Sequence, residues 1–271
     1  MLKDFSIAAH RRAVQFFSLF ALHSSWGPEI KWLCNPVLSC HSCALAWFAC
    51  PIGVFVHYSG YHIFPFLAVG TVLLLGVLIG RLLCGWVCPF GLLQDLLHKL
   101  PGPKFKLPSW TGYIKYVVLV MMVFLLPFLF TERTAYSFCR ICPASAIQVT
   151  LPNLFSAGFA GFNTATAIKL AILALILAAA VVSSRSFCKT LCPIGAMLAP
   201  LNFISLWKIR VPTENCVSCG KCETACPQQD AAPAAHIIQG TPPNRDLECI
   251  VCHECQTTCP RPKPRPQGSA N

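Results

Sequence analysis

Cysteines set two or three residues apart are the residues of this chain best suited to do chemistry. Cys216-x2-Cys219-x2-Cys222-x3-Cys226-Pro is repeated as Cys249-x2-Cys252-x2-Cys255-x3-Cys259-Pro. Thiolates at this spacing wrap three corners of an iron–sulfur cube, and the fourth cysteine of each run serves the other cube. The expected ligand sets are therefore Cys216, Cys219, Cys222 and Cys259 for one [4Fe-4S] cluster, and Cys249, Cys252, Cys255 and Cys226 for a second. Two four-cysteine zinc sites are the competing reading, but zinc motifs seldom carry the triple spacing and the trailing proline.

A second pattern lies upstream. Arg81-x2-Cys84-x3-Cys88-Pro-Phe-Gly and Arg185-x2-Cys188-x3-Cys192-Pro-Ile-Gly each follow a long apolar run. The i, i+4 spacing puts both thiols of a pair on one face if the chain is helical. Two such helix ends facing each other present four thiols to a third [4Fe-4S]. Further upstream, Cys40-x2-Cys43 and Cys139-x2-Cys142 supply another two pairs, one in each half of the chain. They are expected to hold a fourth cluster through Cys40, Cys43, Cys139 and Cys142. Cys34 and Cys50 are then left to form a disulfide or to replace one of those ligands. Cys50-Pro51-Ile52-Gly53 copies the end of the Cys192 motif and argues for a ligand role. Three disulfides among these six cysteines remain the alternative.

The elements that must position these thiols follow from composition. The 271 residues are 55% hydrophobic and 11% charged, well below the charge content of soluble domains. A helix crosses a membrane with about 20 apolar residues, and four runs are read as spans: 13–32, 64–83, 113–130 and 165–182. Arg11-Arg12 resembles an export signal, but no small-residue cleavage site follows, so an uncleaved first helix is expected. Lys and Arg gather at the flanks that face the N-terminal side and outnumber Lys31, Arg133, Arg140 and Lys169 on the other, which sets the N-terminus and the tail in the cytoplasm. The net charge of +11 is explained by these flanks, and nucleic acid is not an expected partner.

The fold expected is mainly α: a four-helix transmembrane bundle with internal duplication over 1–210, then a small ferredoxin-like α+β domain over 211–260 and a flexible tail over 261–271. On this topology the Cys40 and Cys84 groups stand at opposite membrane faces, about 30 Å apart. That span is too long for one tunnelling step unless the sites sit deeper or a quinone or haem intervenes. His23, His57 and His62 are candidate quinone or haem contacts. Arg81 and Arg185, with Asp95, either orient a quinone head group or serve as membrane-flank charges.

Paired Cys-x3-Cys-Pro elements behind apolar helices, followed by a two-cluster ferredoxin domain, resemble the NapH/NosR/CcoG group of membrane ferredoxins over roughly residues 64–260. The resemblance implies an electron carrier of the bacterial inner membrane that works with respiratory or redox subunits, and in the NapH case with quinol. The cysteine-rich 34–50 block exceeds what that pattern requires. Patterns for nucleophilic hydrolysis, phosphate cradling or dinucleotide binding do not occur. Two other functions stand beside electron transfer: a metal-reducing maturation factor, weakened by only four methionines, and a redox sensor, for which no sensory or DNA-reading domain is visible.

Overall fold

The computed structural model describes residues 7–24, 30–131, 134, 136–156, 158–159, 162–211, 216–228 and 230–260. The flexible tail expected over 261–271 lies outside them.

The first helix, α1 (Ile7–Leu22), is polar inside and apolar outside. Arg11 and Gln15, one turn apart, are buried, while Phe17 is 69% exposed and Phe16 and Phe20 also face outward. Such inversion suits a helix against lipid, whose polar stripe must find partners within the protein. Arg11 reaches Asp95 at 2.9 Å, and Gln15 Nε2 donates to Gly85 O at 2.9 Å.

The expected span 13–32 is not one helix. α1 stops at Leu22, and Ile30–Cys34 forms strand β1, paired in parallel with β2 (Phe48–Ala49). Residues 25–29 of the expected span lie outside the described residues; in the sequence, His23, Ser24 and Ser25 already interrupt its apolar average. α2 (Pro51–Gly60) then packs inward.

The run 64–83 also divides. α3 (Phe66–Ile79) ends at Gly80, whose φ of +59° is costly for a residue with a Cβ. Ala68, Val72 and Gly76 form its buried stripe. Gly76 sits so close to Leu201 that a Cβ would lie 2.1 Å from it. Small residues on the inner face let helices approach closely. α4 (Leu82–Trp86) and α5 (Pro89–Leu97) follow.

A continuous rod runs from Ser109 to Phe130 through α6 (Ile114–Val118), a π-helical stretch Leu119–Leu125 and α7 (Leu126–Phe130). A second π stretch, Ala146–Thr150, lies after α8 (Phe138–Ile141) and α9 (Pro143–Ser145) and before α10 (Leu151–Ser156). Pro127 and Pro152 stand just behind the two stretches. Each lacks the N–H that would close the i→i−4 ladder. α11 (Thr164–Val182) is capped by Asn163, whose Oδ1 accepts from Thr166 N at 2.9 Å.

Among the described residues two helices, Ser109–Phe130 and Thr164–Val182, are long and apolar enough to cross a membrane. Only 22% and 17% of their apolar windows are buried. A soluble core helix would be mostly covered, so the exposure points to lipid. The four-helix expectation therefore reduces to two full-length helices and shorter ones, packed by α12 (Ser186–Thr190) and α13 (Pro193–Leu198).

The tail carries α14 (Lys221–Thr224), α15 (Pro233–Ile238) and α16 (Glu254–Thr258), and no strand among its described residues. This departs from the α+β expectation. Its chain turns around sulfur instead of pairing in ladders: Ser218 and Val251, the third residues of the two Cys-x2-Cys turns, both have positive φ. For β-branched Val251 that conformation is strained, and it brings Val251 N–H to Cys249 Sγ at 3.4 Å.

Candidate metal centres

The eighteen thiols are all free, and sixteen of them fall into four groups. In the tail, Cys216, Cys219, Cys222 and Cys259 line one small cavity. Cys226 belongs elsewhere. Burial, then the nearby Cys252, Cys249 and Cys255 thiols, push its own thiol pKa far up. The fourth cysteine of each run thus crosses to the other group. Cys255 feels Cys222 as well, so the two groups are neighbours.

Cys84, Cys88, Cys188 and Cys192 converge from the two repeats. Burial raises the Cys192 thiol, and then Cys188, Cys84 and Cys88 add to it. The pairs do not share a helix face as the i, i+4 spacing implied. Cys84 lies in α4 while Cys88 caps α5, and Cys188 lies in α12 while Cys192 caps α13. Proline at the first helical position ends one helix and starts the next. The extended cysteine before it (φ −72°, ψ 110° at Cys192) turns its sulfur to the new helix's free N–H groups, and Gly195 N donates to Cys192 Sγ at 3.4 Å. Gln94 Nε2 donates to Cys188 Sγ at 3.1 Å, and Gln94 Oε1 accepts from Phe187 N at 3.2 Å. These donors lower the negative charge that four sulfurs concentrate.

The fourth group lines a cavity of about 230 Å³ with Cys40, Cys50, Cys139 and Cys142. Cys50, not Cys43, completes it. Cys50 and Cys142 each cap a helix through a Cys-Pro step, just as Cys88 and Cys192 do. Burial, foremost, and their thiol neighbours push Cys50 up to about 12 and Cys142 up to about 11. Cys40 is held in place by Gln148, whose Oε1 accepts from its backbone N at 2.7 Å. Gln148 lies in the π stretch Ala146–Thr150. Cys43 and Cys34 are buried but do not line the cavity.

Crowded, buried thiols that resist ionising are poor isolated acids but suited to a cation that takes them all as thiolates. Among the described residues no three His, Cys, Asp or Glu side chains stand at single-ion spacing. Two of the groups line a cavity between their sulfurs, room that a polynuclear cluster would fill.

The inner and outer groups lie close to one another in the fold. The backbone of Leu38 lies against the Cys88 thiol, and Leu38 also lines the Cys40 cavity. Leu38 and Cys40 are two residues apart, a Cα separation of at most about 8 Å. On the other side, the loop between Cys84 and Cys88 lies on the loop between Cys249 and Cys252. Trp86 Nε1 donates to Val251 O at 3.1 Å, and a Cβ on Gly85 would stand 2.3 Å from Ile250 O. A Gly85→Val variant should therefore loosen the tail, at an overpacking cost of about 1–3 kcal/mol. Limited proteolysis should release the 216–260 region faster, with iron content unchanged.

The remaining predicted contacts are scattered. His23 bonds Leu19 O and Ser39 Oγ and is far from a free ligand. His57 packs on Tyr61 at 4.7 Å. His62 packs at a tilt on Phe128, ring centres 4.2 Å apart, and lines an apolar cavity of about 530 Å³ with Phe55, Val72, Leu73, Met197 and Leu201. Arg81 and Arg185 are 0% exposed, so neither is a surface anchor, nor do they line that cavity. Asp95 is not a solvated charge either. Arg185 Nε reaches its Oδ1 at 2.7 Å and Nη2 its Oδ2 at 2.8 Å. Burial alone would raise the Asp95 carboxyl, but Arg185 and Arg11 outweigh it and hold it below the usual range. The buried salt-bridge network was not foreseen, although the matched Arg-x2-Cys spacing carried its signal.

Thiol quartets lined by N–H donors define an iron–sulfur protein. Residues 61–108, 115–159 and 167–212 match the family described as "4Fe-4S binding domain", and residues 208–260 match a "4Fe-4S dicluster domain". The chain belongs to this 4Fe-4S binding family. It is 32% identical to an uncharacterized protein of Methanocaldococcus jannaschii over 59% of this chain and 63% of that one. It is 29% identical to the putative electron transport protein YccM of Escherichia coli over 66% and 49%. Likeness to the regulatory protein NosR of Stutzerimonas stutzeri is 28% over 57% and 21%. The chain thus spans less than two thirds of the length of each of these relatives. No solved structure matches it. It is an iron–sulfur protein by its matched domains, and two of its described helices are long and apolar enough to cross a membrane.

Proposed function

We propose that this protein is a membrane relay with four [4Fe-4S] sites in one line, joining a redox partner at the tail to a quinone in the membrane. The proposed ligands are Cys216, Cys219, Cys222 and Cys259; Cys249, Cys252, Cys255 and Cys226; Cys84, Cys88, Cys188 and Cys192; and Cys40, Cys50, Cys139 and Cys142. When bound, such clusters supply reversible one-electron chemistry. The chain's residues hold the sulfurs, exclude water and bridge one site to the next. The observation that carries the reading is the pair of backbone bridges: Gly85 against Ile250 on one side and Leu38 between Cys88 and the Cys40 cavity on the other.

The quinone part rests on the apolar cavity at His62. Its wall includes Met197, five residues beyond Cys192 and on the helix that Cys192 caps. Five residues of helix rise only about 7.5 Å, so an occupant lies close to the inner thiols. His62 is the titratable group at the wall, able to exchange a proton with a quinone oxygen. A cytoplasmic tail in a bacterial inner membrane is supported by the flanking Lys and Arg residues.

The test uses the full chain in detergent, reduced chemically and mixed with a short-chain quinone. Reoxidation of the iron–sulfur absorbance is expected, and Leu73→Trp, which fills the cavity, should slow it about tenfold or more, a barrier increase of about 1.4 kcal/mol. Reoxidation at the parent rate in that variant contradicts the quinone assignment.

A further inference from the structure

Arg81 and Arg185 occupy equivalent places in the two repeats, and each crosses to the other repeat. The guanidinium of Arg185 lies against Gly91 of the first Cys-Pro-x-Gly loop, with Nη2 3.3 Å from where a Cβ would be. Its Nη1 donates to Cys84 O at 3.1 Å. Arg81 Nη2 lies 3.1 Å from the same point on Gly195, in the second loop. The glycine of each motif is thus the space that admits the partner repeat's cation. Arg185 is in electrostatic contact with Cys188 and Cys252, and Arg81 with Cys84, Cys188 and Cys192; Cys249 in turn feels Arg81. Both cations therefore stand where the inner quartet adjoins the second tail quartet. Each meets one acid from outside: Asp95 of α5, shared with Arg11, for Arg185 and Glu248, next to Cys249 and shared with Lys115, for Arg81 at 3.7 Å.

We propose that this crossed arginine pair raises the reduction potential of the inner site above the value its four thiolates alone would set. The inference rests on the reading of the inner quartet as a cluster site. A fixed positive charge in a poorly solvated place stabilises the form with the added electron, whereas the paired acid opposes it. Arginine keeps its charge when buried, so the effect holds across the working pH range. Arg81 and Arg185 act through the sulfurs they flank and are positioning residues.

The experiment is an EPR-monitored redox titration of the full chain in detergent, with iron counted for each variant. Arg185→Gln should move the inner-site potential negative and Asp95→Asn should move it positive. Arg185→Lys should stay near the parent, and the Cys216 site should not move. Opposite signs from the two halves of one ion pair are what a purely structural contact cannot give. Unchanged potentials, shifts of the same sign, or equal loss of inner-site iron in Arg185→Gln and Asp95→Asn overturn the proposal. Failure of the underlying reading shows separately, as absence of an inner-site signal in the parent protein.

Discussion

Cys192→Ser is expected to remove one cluster of four irons and to cut the relay in two. Of about sixteen iron atoms in four cubes, about twelve should remain, because Cys192 meets all three other inner thiols. The tail quartets keep their own ligands and should give unchanged EPR signals. Electrons delivered to the tail should no longer reach added quinone, since the inner quartet is the site that touches both the Cys249–Cys252 loop and Leu38. Iron analysis with stopped-flow reoxidation checks both parts. Retention of sixteen irons, or transfer at the parent rate, would contradict the assignment.

The second large effect separates two neighbouring cysteines. Cys50→Ala should lose the outer cluster and about four irons, whereas Cys43→Ala should keep them. Cys50 lines the cavity with Cys40, Cys139 and Cys142, and Cys43 does not. Cys43 is itself buried, so its truncation costs packing free energy of about 1 kcal/mol per methylene-sized group without touching the cluster. Paired iron and sulfide analysis of the two variants gives the answer. Equal losses in both would return the outer site to an undefined ligand set.

Much of this was legible in the sequence, for a physical reason. Short Cys spacings are local constraints, so the tail runs and the Cys84 and Cys188 pairs could be read as groups without knowing the fold. Even Cys50 announced itself, because Cys-Pro-Ile-Gly repeats the Cys192 motif and imposes the same helix cap. Its grouping with Cys139 and Cys142 over Cys43 depends on a long-range turn through β1 and β2, which spacing does not encode. The same limit explains the first span: residues 13–32 average as apolar, but α1 stops at Leu22. Reading Arg81 and Arg185 as flank charges failed for another reason. Burying a cation is expensive unless an acid meets it, and their acids, Glu248 and Asp95, arrive from distant positions in the chain. The approach of Leu38 to both the Cys88 thiol and the Cys40 cavity agrees with the alternative that the sites sit deeper than their flanks suggest, which spacing alone does not encode.

The account depends on thiols from separate segments gripping a continuous series of cubes. Iron and acid-labile sulfide, counted per chain in protein purified without oxygen, test it most directly. About sixteen of each are expected for four cubes. About eight, the content of the tail alone, would leave the helical part without metal and contradict the relay.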